Sequence, residues 1–172
     1  MSRRSTFTAA LAFALSVLVI VQSARADGRP PTFADHPVAS VYRGVPAAVD
    51  LSSHPVARTF RTLLRDGTRR GPNFAGRWTV VRLGCGTNCH SFAVVDAVTG
   101  RVYPGPEAAA LGVDFRLEST LLIVDPPAVV EAELPEALTR SAPSRYYVWH
   151  GDEGRWELIY EISREAAARE AR

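Results

Sequence analysis

Apolar residues recur at helical spacing in one long stretch of the chain, residues 54–66. Four of them stand at i, i+4, i+7 and i+8, and a helix therefore carries them in one stripe: Val56, Phe60, Leu63 and Leu64. Ser53 can cap the first turn, and Pro55 suits that turn because its missing N–H would have no intrahelical partner there. Gly67 stands where a left-handed residue commonly ends a helix. The pattern predicts one principal helix.

Beyond residue 71 the period of the apolar residues changes to two, which is typical of strands. The predicted strands are 78–83, 92–95, 120–124, 146–149 and 156–162, with a shorter extended segment at 101–103. Asp96 and Gly100 are suited to a tight turn after the second strand. The alternation predicts that four residues of the last strand share one buried face: Trp156, Leu158, Tyr160 and Ile162.

These elements predict an α+β fold, in which a mainly antiparallel sheet of about five strands carries the one principal helix. The strands follow one another with short connections, which favours antiparallel pairing. No internal repeat or low-complexity linker interrupts the chain after its first segment. We therefore expect a single globular domain over residues 27–162, followed by a polar tail over residues 163–172.

The first 26 residues have the three parts of a secretory signal. Arg3 and Arg4 precede an apolar run, and Ala24-Arg25-Ala26 has the small residues of a cleavage site. A membrane anchor is the alternative, but it needs about 18–20 apolar residues, and this run is shorter. We predict a cleaved signal peptide over residues 1–26. The mature chain should then be periplasmic or extracellular, with no stable membrane insertion.

Cleavage changes the charge of the protein. The full chain has 20 basic residues, all Arg, and 18 acidic residues, with a net charge of +2. Three of the arginines leave with the signal, so the mature chain has 17 basic against 18 acidic residues and a net charge of −1. A strong basic surface is the electrostatic requirement of nucleic-acid binding. Its absence argues against a nucleic-acid partner.

Three segments of the mature chain form a specific signature. They are GPNFAG at 71–76, GCGTNC at 84–89, and VVDA at 94–97 followed by Thr99-Gly100 and Val102-Tyr103. This signature resembles that of a functionally uncharacterised family of small exported bacterial proteins with the pattern GPNFAG / GCGTxC / VVDAxTGxVY. The resemblance implies an exported protein and does not imply an activity. Arg77 departs from the family pattern, in which a His or another ring is expected.

Cys85 and Cys89 are the two cysteines of the chain. In an oxidising compartment a disulfide is the first interpretation, and the flanking glycines relieve the backbone of so small a ring. Two alternatives stay open. The cysteines could be redox-active thiols, or they could bind a metal together with His90 and, if the strands converge, His150. The spacing C-x3-C followed by His matches no standard zinc site.

The polar residues near the cysteines are the candidates for ligand binding. The GPNFAG loop contributes Asn73, whose simplest role is a local backbone hydrogen bond. An anion or a carboxylate can be held by Arg82 of the first strand and by Arg77 just before it. The predicted binding residues are Asn73, Arg77, Arg82, Thr87, Asn88 and His90.

The sequence contains none of the common catalytic signatures, such as G-x-S-x-G or H-E-x-x-H. We therefore assign no catalytic residue, no metal site and no cofactor. The favoured hypothesis is a non-enzymatic binding module, which recognises a protein or another envelope component through the loop at residues 84–90. The alternative is a thiol-redox or metal-dependent enzyme that uses Cys85, Cys89 and His90.

Overall fold

The computed structural model describes residues 28–87, 89–139 and 142–163 of the chain. Within them, seven strands form two antiparallel sheets, one of three strands and one of four. The α+β class is confirmed. The prediction of one sheet of about five strands with one helix is only roughly right, because the strands divide between two sheets. The predicted signal peptide and nearly all of the predicted tail lie outside the described residues.

In each sheet, strands that are consecutive in the sequence are also hydrogen-bonded neighbours. The first sheet contains β1 (Trp78–Gly86), β2 (Cys89–Asp96) and β3 (Val102–Pro104). The second sheet contains β4 (Val113–Phe115), β5 (Leu121–Val124), β6 (Ser144–His150) and β7 (Arg155–Ile162). Most of this order follows from short connections, since a short loop joins only antiparallel neighbours; the longer segment between β5 and β6 contains two helices.

The predicted principal helix is in fact two short helices, α1 (Pro55–Thr59) and α2 (Arg61–Thr68). The chain departs from helical geometry between them at Phe60, with φ −107° and ψ 27°. The cap of α1 is His54, whose Nδ1 accepts a hydrogen bond from the backbone N–H of Val56 at 3.2 Å.

The two residues that were expected to begin and end the helix have different roles in the structure. Ser53, the expected cap, donates instead to the backbone oxygen of Asp50 at 2.6 Å. Gly67 lies inside α2 rather than beyond its end. A side chain at position 67 would meet Val81 of β1, so this glycine permits close packing of α2 on the first sheet. Two further helices, α3 (Pro127–Glu133) and α4 (Glu136–Thr139), precede β6.

The core has three apolar layers. The helices pack on one face of the first sheet, where Ala57 and Leu64 meet a row that includes Val81 and Val95. The opposite face of the first sheet meets the second sheet through a cluster rich in aromatic rings, and its members include Phe74, Trp78, Val80, Phe92, Leu122 and Trp149. A third cluster covers the far face of the second sheet. Leu63 of the predicted stripe is 47% exposed and joins none of them.

The prediction that the apolar residues of β7 share one face is wrong. Tyr146 of β6 pairs with Tyr160, whereas the next residue, Tyr147, pairs with Leu158, so β7 contains a bulge at Ile159. A bulge adds one residue to one strand and therefore reverses the alternation beyond it. Trp156 consequently packs between the sheets, and Tyr160 packs on the far face. Leu158 is 49% exposed.

No helix within the described residues is long and apolar enough to cross a membrane.

Candidate functional site

The β1–β2 hairpin positions most of the predicted binding residues. Its register pairs Arg82 with Phe92 and Gly84 with His90. Because alternate strand residues share a face, Arg82, His90 and Phe92 lie on the side of the first sheet that meets the second sheet. The hairpin therefore brings two of the predicted polar residues together beside the cysteine loop.

The predicted disulfide is present between Cys85 and Cys89 at the tip of this hairpin. Gly86 supports the turn with φ 126°, a conformation that side-chain-bearing residues rarely adopt. The backbone N–H of Ser91 donates to the Sγ of Cys85 at 3.1 Å. Thr87 is exposed at the tip, and Asn88 lies outside the described residues. The disulfide thus closes the loop that presents Thr87.

A small cleft opens beneath this loop, between the two sheets. It has a volume of about 200 Å³, and its lining consists of Val80, Arg82, His90, Phe92, Gly112, Val113 and Phe115. We call it the disulfide-end cleft. Its floor is apolar, while Arg82 and His90 contribute the polar groups. His90 is held in place by two backbone hydrogen bonds with Ala109, at 2.8 and 2.9 Å.

The Arg82 guanidinium is the permanently charged group of the disulfide-end cleft. Among the residues that the structure describes, it forms no ion pair and no hydrogen bond. Arg82 is exposed, so water solvates its charge in the free protein. An arginine beside an apolar floor is therefore available to a carboxylate on an incoming group.

Asn73, another predicted binding residue, is occupied by the fold. Its Oδ1 accepts from the backbone N–H of Val80 at 2.8 Å, and its Nδ2 donates to the Val80 oxygen at 3.2 Å. The side chain thus pairs with β1 as a neighbouring strand would. Asn73 is placed where it anchors the GPNFAG loop to the sheet, and it does not line the disulfide-end cleft.

Arg77 lies at the opposite end of β1 from the disulfide. Five residues separate it from Arg82, which corresponds to roughly 16 Å of extended chain. The structure therefore does not bring the two arginines together around one anion. Arg77 lines a larger cleft of about 720 Å³, whose walls include Tyr42, Trp78 and Trp149. We call this the Arg77 cleft.

The proposed metal ligands do not converge. The sulfurs of Cys85 and Cys89 are bonded to each other. His150 lies next to Gly151, which packs against Trp78 at the far end of β1. There, the Nε2 of His150 is 2.6 Å from the Oε2 of Glu157. Among the described residues, no three His, Cys, Asp or Glu side chains are grouped so that they could hold a metal ion.

One charged cluster was not predicted from the sequence. Glu107 accepts a hydrogen bond from the Tyr147 hydroxyl at 2.8 Å and one from Arg145 at 2.9 Å. Arg145 also donates to Glu161 at 2.7 Å. Burial, and then the hydrogen bond to Glu107, raise the pKa of Tyr147 to about 12. Glu107 is about 40 residues from its partners and lies in an irregular segment, so no local pattern marks it.

The chain was compared with protein-family models, with curated proteins and with solved structures, and none of them matches it. The resemblance to the exported family consequently stays a prediction from the motifs.

Proposed function

We propose that this chain is a secreted member of the signature family and works as a non-enzymatic binding module in the periplasm or outside the cell. It recognises a protein or another envelope component through the disulfide-end cleft and the loop at residues 84–90. The observation that carries this proposal is the Arg82 guanidinium, which is exposed beside an apolar cleft and has no partner among the described residues.

The disulfide supports this function because it reduces the conformational entropy that the loop would lose on binding. Binding costs free energy because contact groups lose conformational freedom, about 0.5–1.5 kcal/mol for each mobile side chain and more for mobile backbone. The Cys85–Cys89 bond restricts the loop before any partner arrives. Thr87 at its tip can therefore contact a partner at a lower ordering cost than it would from an open loop.

The cleft itself suggests what the partner presents. A volume of about 200 Å³ is smaller than the usual pocket for a drug-sized ligand, and it suits one side chain of a larger partner. The apolar floor favours an apolar group, and Arg82 favours a neighbouring carboxylate. Arginine is enriched among the residues that dominate protein interfaces, because it combines charge, hydrogen bonding and apolar contact.

A photo-crosslinking residue at Thr87 tests this proposal. Expressed in the host and exported, such a variant should form a discrete crosslinked product with an envelope component. The same residue at Arg58, which is exposed on α1, is the matched control and should give no such product. The additional change Arg82→Gln should remove the Thr87 product, whereas Arg58→Gln should leave it. Equal products from both crosslinking positions, or no effect of Arg82→Gln, would contradict the proposal.

One observation favours a thiol-redox function as the second candidate. The backbone N–H of Ser91 that donates to Cys85 Sγ would stabilise a thiolate on that sulfur after reduction, and Cys85 is exposed. This function predicts that the wild-type protein exchanges disulfides with a model dithiol, and that the Cys85→Ser, Cys89→Ser variant does not. A binding module predicts no exchange beyond that of a small unstrained disulfide.

A further inference from the structure

The Arg77 cleft lies at the end of the sheet sandwich away from the disulfide, and the proposed function does not use it. Its volume of about 720 Å³ is within the usual range for small-molecule sites. Apolar side chains form much of its wall: Val38, Val41, Trp78, Val98 and Trp149. Its charged groups are Arg77, Arg43 and Asp152. The cleft thus combines an accessible aliphatic wall, behind which the rings of Trp78 and Trp149 are largely buried, with a small number of charges.

The Arg77 side chain is already oriented in the free protein. Its Nε lies 3.5 Å from the Oδ1 of the buried Asp96, which is an ion-pair distance without hydrogen-bond geometry. Its guanidinium carbon lies 5.1 Å from the centre of the Trp78 ring. The side chain remains 41% exposed, and the two terminal nitrogens form no hydrogen bond to any described residue. Those nitrogens are the fork that binds a carboxylate.

The backbone before Arg77 has an unusual conformation. Ala75, which lines the cleft, has φ 43°, a left-handed conformation that is rare for a residue with a side chain. Surrounding segments hold it there: Gly76 donates to the Leu117 oxygen at 2.7 Å, and its own oxygen accepts from Tyr42 at 2.9 Å. Strained backbone persists only where the surrounding structure determines it, and it is concentrated at ligand sites.

Trp149 adds a second unmatched group. Its ring is 2% exposed and lines the cleft, yet its indole N–H has no acceptor among the described residues. A buried donor without an acceptor is uncommon, because it loses its hydrogen bond to water without replacement. The unmatched indole N–H is itself buried, so the guanidinium fork is the donor that an incoming group can reach.

We infer that the Arg77 cleft is a second ligand site, and that it binds a carboxylate joined to a short apolar body. The carboxylate pairs with the terminal nitrogens of Arg77, and the apolar body lies against the accessible aliphatic wall of Val38, Val41 and Val98. A single negative charge is favoured over a phosphate dianion, because Asp96 lies 3.5 Å from the Arg77 guanidinium and Asp152 lines the same cleft, and together they offset the charges of Arg77 and Arg43. The C-terminus of a peptide and a short fatty acid both supply this chemistry.

A matched pair of probes tests this inference. N-acetylphenylalanine and its amide have the same apolar body and differ only in the carboxylate. Calorimetric titration of the wild-type protein should give an affinity for the acid about ten-fold or more above that for the amide. Octanoate is titrated in parallel, and the tighter of the two acids identifies the peptide or the lipid source. Phenyl phosphate is the fourth probe.

Two arginine variants then test whether the acid binds in the Arg77 cleft. Arg77→Gln should weaken binding of the acid about ten-fold and leave the amide unchanged, whereas Arg58→Gln on α1 should change neither. Amide nitrogen–proton spectra provide a readout that needs no variant: the indole signals of Trp78 and Trp149 should shift most when the acid is added. The inference is overturned if N-acetylphenylalanine and its amide bind equally, if neither acid binds, if phenyl phosphate binds more tightly than both acids, or if a folded Arg77→Gln variant keeps the wild-type affinity.

Discussion

The Asn73 side chain completes the hydrogen bonding of Val80 in β1. Its amide both accepts from the Val80 N–H at 2.8 Å and donates to the Val80 oxygen at 3.2 Å. The residues beside Asn73 form the turn that enters β1, since Phe74 exchanges backbone hydrogen bonds with Trp78 at 2.9 Å. The pairing of Asn73 with Val80 therefore fixes the GPNFAG loop to the sheet. It also fixes the position of Arg77, which follows this loop.

Removal of the Asn73 amide should destabilise the fold. Asn73→Ala leaves the N–H and oxygen of the largely buried Val80 without partners, and the expected loss is about 2 kcal/mol of unfolding free energy. Chemical denaturation measures this loss. Thr87→Ala at the exposed loop tip is the control and should change stability by less than about 0.5 kcal/mol. Similar values for the two variants would show that the Val80 pairing contributes little.

The disulfide should stabilise the protein modestly. The bond joins residues four apart, and the loop-entropy relation gives about 2 kcal/mol for so short a ring. The Cys85→Ser, Cys89→Ser variant should lose that amount of unfolding free energy and remain folded. Alkylation followed by intact-mass measurement should add two labels after reduction and none before. Two labels without reductant would contradict the disulfide.

Neighbouring residues of β7 should respond very differently to truncation. Trp156 packs against Phe74, Phe92 and Trp149, and its indole donates to the Pro104 oxygen at 3.0 Å. Trp156→Ala should therefore cost about 3–5 kcal/mol. Leu158→Ala should cost less than about 1 kcal/mol, because that side chain is half exposed. Denaturation of both variants tests this difference in burial, and similar losses for the two would contradict it.

Alkaline pH should weaken the fold through Tyr147. Its folded-state pKa is about 12, above the ordinary value of 10.0. Between these values the unfolded chain has released the phenolic proton and the folded protein has kept it, so stability falls as pH rises. The contribution is complete below pH 10 and is lost as pH approaches 12. Phenolate absorbance, read as a difference from Tyr147→Phe, measures this titration.

Glu107→Gln provides the matched control for the Tyr147 titration. It keeps the side-chain shape and removes the charge that accepts the Tyr147 hydrogen bond. The pKa of Tyr147 should fall toward its ordinary value, although burial, the larger cause, keeps it raised. An unchanged titration in this variant would assign the whole shift to burial.

Local patterns predicted the first sheet well. The strands of the β1–β2 hairpin and the turn after it depend on neighbouring residues: Asp96 accepts from the backbone N–H of Val98 at 2.9 Å, and Gly100 adopts φ 76°. The separation of Arg77 and Arg82 was also available from the sequence, since five residues of strand span roughly 16 Å.

Other features had no local signal. The bulge at Ile159 is a property of the pairing of β6 with β7, and it reversed the face of every residue beyond it. The interruption at Phe60 divided a continuous helical pattern into α1 and α2. Asn73 has the composition of a turn residue, and only its contact with Val80 shows that it completes a strand.

The sequence by itself determined the α+β class, the disulfide partners and most strand positions, because side-chain periodicity and turn chemistry act between residues close in the chain. The tertiary structure decided how the strands divide into two sheets and which polar groups meet. Glu107 reaches Tyr147 across 40 residues, and Arg77 meets the buried Asp96 only because β1 pairs with β2. Such contacts depend on the packing of distant segments, whose arrangement is the sum of many weak apolar contacts and is not encoded at any one position.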